Sequence, residues 1–343
     1  MIQAFWFQKK YAHWSWGGLV VLITSIWMQV QMSVALNTWN GRFYDLLQNA
    51  LTYKTSPAQG FKLFYDQLVS LKYVLSGFNP QYSLSFLEIA FPYIALAIFT
   101  NWFTRIYGFK WRESLTFFYV DQWRVVKKEV EGASQRIQED CNRWARIIES
   151  LGLQFVRALM TLIAFIPILW GFSDKIGIPY LQTVDGSLVW VSLLASIGGI
   201  AISWVVGWHL PGLEYNNQRV EAAFRKDLVL AEDDKKNYAQ PNTLASLFVG
   251  IKLNYYRLYL HYGYFDFWAT SYDLFMTIVP FLLMGPSIFS GLITLGVLFQ
   301  VSNAFSMVHG GFSLFLNNWT TITELRSIWK RLHEFEQNIL EYI

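Results

Sequence analysis

The chain has 343 residues, of which 54% are hydrophobic, 18% aromatic and only 15% charged. A water-soluble domain normally carries about a quarter charged residues, so this composition indicates an integral membrane protein. The net charge of +3 and the single cysteine, Cys141, argue against a nucleic-acid partner, a disulfide framework and a thiolate metal cluster.

Six apolar stretches are long enough to cross a hydrocarbon core of about 30 Å, which takes about 20 helical residues. We predict an all-α protein with six transmembrane helices, near residues 15–36, 86–107, 152–172, 188–208, 264–284 and 291–309. The first stretch follows Lys9 and Lys10 but has no cleavage site of small residues. We therefore interpret it as a span and not as a signal peptide.

The basic residues of the loops predict the orientation. If both termini and the segments 109–150 and 211–262 lie on one side, that side holds twenty of the twenty-seven Lys and Arg residues. The positive-inside rule then places both termini and these two long segments in the cytoplasm.

The two long inner segments have helical patterns. Because a helix of about 40 residues measures about 60 Å, spans two to five are predicted to continue as long cytoplasmic helical extensions. This layout is similar to the transmembrane half of an ABC exporter, an analogy of fold only. We treat residues 1–343 as a single transmembrane transporter domain. Since no G-x-x-x-x-G-K-[ST] loop occurs in the sequence, we expect no nucleotide-binding domain.

Signals for enzyme chemistry are weak. The five histidines are scattered, without an H-E-x-x-H motif or the spacing of a metal site. The run His309-Gly310-Gly311 resembles part of an oxyanion-hole loop, but no G-x-S-x-G nucleophile elbow accompanies it. We therefore expect no enzyme activity, no cofactor and no metal.

Polar residues recur at steps of four and three in both inner segments, which places each set on one helix face. The first set is Glu131, Gln135, Gln138, Asn142, Ala145 and Glu149, and the second is Glu214, Gln218, Glu221, Arg225, Leu228 and Glu232. Spacing alone favours a solvated face, with Glu139–Arg143 and Arg136–Asp140 as exposed pairs.

The alternative is a ladder of carboxylates that lines a cavity between two subunits. Carboxylates partly withdrawn from water can exchange protons near neutral pH and attract a cationic substrate. That combination suits proton-coupled uptake of basic peptides.

Asp266 and Asp273 lie inside the fifth predicted span. An acidic residue within a membrane helix is by default a functional candidate, and these two share a face because they are seven residues apart. Tyr272 or Thr270 could satisfy their carboxylates. We regard both aspartates as possible accessory sites for a proton or the substrate.

Two further patterns predict helix packing. Gly199, Ser203 and Gly207 are small residues four apart, which allows a neighbouring helix to approach closely. Near the C terminus, one helix face is apolar, formed by Leu325, Trp329, Leu332, Phe335 and Ile339.

Residues 131–140 and 210–226, which carry the polar sets, closely resemble motifs of the SbmA/BacA inner-membrane peptide transporters. Further matches lie at 160–165, at 285–288, and at Asn318-Trp319-Thr320-Thr321 with Glu324-Leu325. The similarity runs from about residue 35 to 337, which is most of the chain.

The resemblance implies a homodimer with an ABC-exporter-like membrane fold and no ATPase, located in the bacterial inner membrane. Such a protein imports peptides with the proton gradient, including proline-rich antimicrobial peptides and modified peptides of the microcin type. Relatives fused to an ATPase domain exist, and one of them takes up cobalamin. The implied partners are a second copy, the peptide, protons and the bilayer, without nucleic acid.

The resemblance also implies roles for particular residues. By motif, the acidic residues that line the cavity and couple protons are Glu131, Glu139, Glu149, Glu214 and Glu221. The polar face of the cavity is completed by Gln135, Gln138, Asn142, Gln218 and Arg225. Asp266 and Asp273 depart from the family pattern, which has Asn or apolar residues there. The family's additional N-terminal hydrophobic region is also missing, which indicates a subfamily feature or a shortened form.

Two alternatives stay open. One is the membrane subunit of an ATP-driven ABC permease whose ATPase is a separate chain. The other is a receptor that binds peptides without moving them.

Overall fold

The computed structural model describes residues 2–126, 133–314 and 318–341, and within these ranges the secondary structure is helical, without a strand. This confirms the all-α prediction. The principal helices are α1 Ile2–Trp6, α2 His13–Gln48, α3 Pro57–Val69, α4 Phe86–Trp123, α5 Ala133–Lys175, α6 Ser187–Gly207, α7 Leu210–Asp233, α8 Pro241–Phe289, α9 Leu295–Phe312 and α10 Trp319–Glu341.

Five of these helices, α2, α4, α5, α6 and α8, are long and apolar enough to cross a membrane. They account for the first five predicted spans, the fourth of which ends one residue beyond α6, and make the chain a multi-pass membrane protein. The sixth predicted span, 291–309, overlaps the 18-residue helix α9, which begins at Leu295 and ends at Phe312. Gln300, Asn303 and His309 interrupt the apolar run of α9, which is not among the five helices found long and apolar enough to cross a membrane. A sixth span therefore stays a prediction.

Four of these helices are much longer than a bilayer requires. α2, α4, α5 and α8 have 36, 38, 43 and 49 residues, whereas about 20 residues suffice to span the hydrocarbon core. The extension after α6 is a separate helix, α7, with Pro211 in its first turn. Proline is tolerated there because the first N–H groups of a helix have no intrahelical acceptor.

The chain divides into two compact units. The first comprises residues 1–192 and 280–343, and the second comprises residues 193–279.

The core of the first unit contains large aromatic side chains. Phe5 of α1 is fully buried and stacks on Trp111 of α4 at 5.0 Å between ring centroids. The C-terminal helix α10 packs into the same cluster through buried apolar residues, which are Ile328, Leu332, Phe335 and Ile339. This largely confirms the predicted apolar face of α10, except that Trp329 is half exposed.

Side chains fix where the helices begin. Ser85 and Glu88 form a capping box at the start of α4, each bonding the backbone N–H of the other. At the start of α9, the carboxylate of Asp45 accepts the Gly296 N–H at 2.9 Å. Gly296 lies against the carbonyl of Gly41, so close that a Cβ atom would collide with it.

The second unit shows the close packing predicted for α6. A Cβ atom on Gly199 would collide with the ring of Tyr272, and one on Gly207 would touch Phe265. Between them, Trp268 Nε1 donates to Ser203 Oγ at 2.9 Å. The small residues of α6 therefore let α8 approach, as predicted.

Candidate functional site

The polar segment of α5 is not a regular α-helix. π-helical turns at Arg136–Asp140 and Ile148–Gly152 flank the α-helical stretch Cys141–Ile147. A π-turn holds more residues than an α-turn, so each one shifts the helical register. As a result, the first predicted set does not share one environment.

The structure places the members of this set differently. Gln135 and Gln138 are exposed, Asn142 and Glu149 are half-buried, and Ala145 is buried. Glu131 lies outside the described residues.

Glu139 belongs to a surface network. Its carboxylate pairs with Arg143 at 2.6 Å, and both side chains are about half exposed. Arg143 also lies 3.7 Å from Glu324 of α10. This arrangement matches the exposed pair predicted from spacing and keeps Glu139 in contact with water.

Glu149 has a different setting. It lines a cavity of about 120 Å³ whose other walls are mainly apolar, formed by Leu19, Leu22, Ile26, Trp111 and neighbouring residues. Gly108 of α4 provides the space, because a Cβ atom there would lie 2.9 Å from Glu149 Oε2. Apolar surroundings favour the uncharged form of a carboxyl group, so this position suits a group that gains and loses a proton.

Asp140 lies in a buried ion cluster that the sequence did not reveal. Only 1% of the surface of Asp140 is exposed. Arg331 Nη2 and Nε donate to its two oxygens at 2.7 and 3.0 Å, and Arg136 Nη1 donates at 2.9 Å. The prediction of an exposed Arg136–Asp140 pair was therefore wrong, because α10 covers it.

The hydrogen bonds to Asp140 raise the pKa of Arg331 above its ordinary value. A raised folded-state pKa gives stability that is present below the unfolded-state pKa and is lost only as the pH rises above it. Arg331 therefore adds no pH dependence to stability in the neutral range.

A polar cluster links three membrane helices of the first unit. Arg157 Nη2 of α5 donates to Gln29 Oε1 of α2 at 2.9 Å. Gln29 Nε2 in turn donates to Thr100 Oγ1 of α4 at 2.6 Å. Gln29 and Thr100 are buried, and Arg157 is half-buried. The sequence shows these residues only as isolated polar positions on separate spans.

The second predicted set lies on α7, an uninterrupted α-helix. Glu214 and Glu221 are half-buried, whereas Arg225, Leu228 and Glu232 are exposed. The backbone of Gln218 occupies the expected position on the same face. The regular helix confirms the periodicity, and a cavity beside it stays a prediction.

Asp266 and Asp273 are both exposed on α8. The neighbouring Tyr272 hydroxyl donates to the carbonyl of Ala195 at 2.8 Å. The carboxylates therefore face away from the interior of the second unit. In the described ranges, no group of three or more His, Cys, Asp or Glu side chains is placed to hold a metal ion.

These features define a multi-pass membrane protein with ionisable groups on its membrane helices, as in proteins that move solutes. The family model described as SbmA/BacA-like matches residues 8–340, and the chain belongs to this family.

Two curated relatives carry ABC transporter names. The inner membrane ABC transporter ATP-binding protein YddA of Escherichia coli is 28% identical, over 93% of this chain and 56% of the relative. The chloroplastic ABC transporter D family member 2 of Arabidopsis thaliana is 27% identical, over 69% of this chain and 32% of the relative. The chain thus spans between about a third and just over half of these proteins. Family and relatives together support a membrane transporter.

Proposed function

We propose that the protein imports cationic peptides across the bacterial inner membrane, driven by the proton gradient. It acts as a homodimer of six-span protomers with an ABC-exporter-like membrane fold and cytoplasmic termini. Its cargo includes proline-rich antimicrobial peptides and modified peptides of the microcin type. The cycle uses no cofactor and makes no chemical change to the cargo.

The setting of Glu149 is the observation that carries this proposal. Its carboxylate lies in an apolar cavity between helices of the first unit, beside Gly108. Protonation removes a charge from these surroundings and so changes which helix arrangement is favoured. Each proton that crosses the membrane potential contributes about 2.3 kcal/mol per 100 mV.

The remaining carboxylates support recognition of a cationic cargo. Glu139 is in contact with water, and Glu214 and Glu221 are half-buried on α7. Acidic groups at these positions attract basic side chains. The membrane potential, negative inside, drives the same cations inward.

The test measures uptake of a fluorescent proline-rich cationic peptide into proteoliposomes with an imposed pH gradient and membrane potential. We expect wild-type uptake to depend on the gradient and to be abolished by a protonophore. Glu149→Gln and Glu221→Gln should each abolish gradient-driven uptake. The matched control is Glu334→Gln, on the exposed face of α10, which should transport normally.

Two results would contradict the proposal. Peptide that binds to wild type but never accumulates indicates a receptor. Unchanged uptake by Glu149→Gln would mean that Glu149 does not couple protons, and unchanged uptake by Glu221→Gln would mean that Glu221 does not recognise the cargo.

A second candidate is the membrane part of an ATP-driven permease. The specific observation in its favour is that the relatives named above extend well beyond the length of this chain, and YddA is named an ATP-binding protein. In cells, this candidate predicts uptake that survives a protonophore but stops when ATP is depleted. The proton-driven importer predicts the opposite pattern.

A further inference from the structure

The cluster of Gln29, Thr100 and Arg157 takes no part in the proton chemistry described above. Arg157 lies in the predicted span 152–172, where a charged side chain is unfavourable unless an opposite charge compensates it. Across residues 2–126, 133–314 and 318–341, no carboxylate forms an ion pair with Arg157. Among these residues, the charge of Arg157 is left for an anion of a bound molecule to compensate.

The surrounding hydrogen bonds hold the guanidinium in place. Gln29 is 1% exposed and Thr100 is fully buried, so the acceptor for Arg157 is itself fixed by packing. Gln29 occupies one of the five N–H donors of Arg157. A guanidinium anchored along one edge can offer parallel N–H groups to a carboxylate or a phosphate, the anions that fit its planar fork.

The cluster lies close in sequence to residues that line the cavity of Glu149. Ile26, Thr104 and Val156 line that cavity. They lie within one helical turn of Gln29, Thr100 and Arg157, respectively. Glu149 and Arg157 are eight residues apart on α5, about 12 Å along a helix. A carboxylate and a guanidinium at this spacing match the opposite charges of a short zwitterionic segment.

We propose that Arg157 binds the C-terminal carboxylate of the peptide cargo, an inference that rests on the proposed peptide transport. The C-terminal carboxylate is the one anionic group that every unmodified cationic peptide carries. One turn before Arg157, the exposed Gln154 accepts a hydrogen bond from Asn318 Nδ2 at 3.1 Å. This pair of amide side chains, one helical turn along α5 from Arg157, can pair with the last peptide groups of the cargo.

The test compares two fluorescent proline-rich cationic peptides that differ only in a free-acid or an amidated C terminus. Their affinities for the full chain in nanodiscs of uncharged lipid are measured at equilibrium. Wild type should bind the free-acid peptide about tenfold more tightly than the amidated peptide, as expected for a hydrogen-bonded ion pair. Arg157→Gln should reduce the ratio of the two affinities to about one. Arg157→Lys should keep part of the ratio, because lysine retains the positive charge but lacks the parallel N–H groups of the guanidinium. Arg124→Gln, at an exposed arginine, should keep the full ratio.

Several outcomes would overturn the inference. The first is equal affinity of wild type for both peptides, and the second is no binding of either peptide. The third is an equal loss of affinity for both peptides in Arg157→Gln, which would indicate that Arg157 has a purely structural role. An acid preference that disappears when anionic lipid is added would show that a lipid phosphate occupies Arg157 instead. An acid preference in binding without gradient-driven uptake would leave this inference standing and contradict the proposed proton-driven import.

Discussion

At the scale of single residues, one glycine determines the environment of the carboxylate that matters most to the proposed mechanism. Gly108 lets Glu149 lie against the backbone of α4 and next to an apolar cavity. Helix propensity favours a residue with a side chain over glycine inside a helix. The lack of space for a Cβ atom beside Glu149 therefore explains the glycine at position 108.

We expect Gly108→Ala to lower gradient-driven uptake while the protein stays folded. The new Cβ would lie 2.9 Å from Oε2 and 3.2 Å from Cβ of Glu149, so the carboxylate must shift from its position in the cavity. The gain in helix propensity, about 0.5–1 kcal/mol, offsets the strain on stability. Uptake and thermal unfolding measure the two effects. Gly250→Ala, where a Cβ meets open space, should change neither, and equal uptake by both variants would refute the role of Gly108.

Arg331→Gln should destabilise the protein by about 2 kcal/mol or more, because the buried carboxylate of Asp140 loses two of its three donors. Denaturant unfolding in detergent measures this loss. Lys330→Gln is the matched control, since its pair with Glu334 is long and exposed and should contribute less than about 0.5 kcal/mol. Similar losses for the two variants would mean that the Asp140 cluster does not hold α10 in place.

The residue scale is also where sequence reasoning was least complete. Arg136 and Asp140 have the spacing of an exposed pair, and only the position of α10, almost two hundred residues later in the chain, reveals that Asp140 is buried. Gln29, Thr100 and Arg157 likewise come from three different spans. Helical periodicity describes neighbours along one helix, so it cannot detect such clusters.

At the scale of helices, α2 and α9 approach each other closely at Gly41 and Gly296. Asp45 accepts the N–H of Gly296, and Gln48 accepts that of Leu295 at 2.7 Å. Two residues of α2 therefore cap the start of α9, which adds polar bonds to the packing of small residues.

Gly296→Ala should destabilise the protein by about 1–3 kcal/mol, the usual cost of overpacking, because the new methyl group meets the backbone carbonyl of Gly41. Gly310→Ala is a control on the same helix, with nothing within 4 Å of the added atom. Thermal unfolding of the two variants compares them directly. A loss as large in Gly310→Ala would assign the effect to glycine replacement in general.

Helix centres were predictable, and helix extents were not. The apolar run near 264–284 locates the membrane part of α8, but the helix continues from Pro241 to Phe289, through Pro280 and Pro286. Hydropathy reports the lipid-facing part of a helix, whereas its ends depend on caps and packing. The π-turns of α5 show no hydropathy signal at all, and they separate residues that regular spacing placed together.

At the scale of the whole molecule, the sequence was informative about class. Its composition predicts a membrane protein, and its long motifs predict the SbmA/BacA-like family, which the family match confirms. Orientation, dimerisation and cargo depend on the bilayer and on other molecules, so a single chain leaves them as predictions.

Cysteine labelling can test the predicted orientation in intact cells. Cys141 is fully buried, so wild type should resist a membrane-impermeant maleimide. Ser76→Cys, in the exposed segment after α3, should react from outside. Ser246→Cys, exposed near the start of α8, should react only after the inner membrane is permeabilised. The reverse pattern would place both termini on the outer side.

The two π-turns of α5 also bear on how this chain can vary in length. A π-turn holds one residue more than an α-turn, so losing one residue there restores a regular helix. The preceding segment then turns by about 100°. A single-residue deletion near Arg136–Asp140 would thus be absorbed as a rotation on the N-terminal side of α5. The same change within Leu153–Gly171 would displace Arg157 from Gln29, so tolerated length differences between homologues should concentrate at the π-turns.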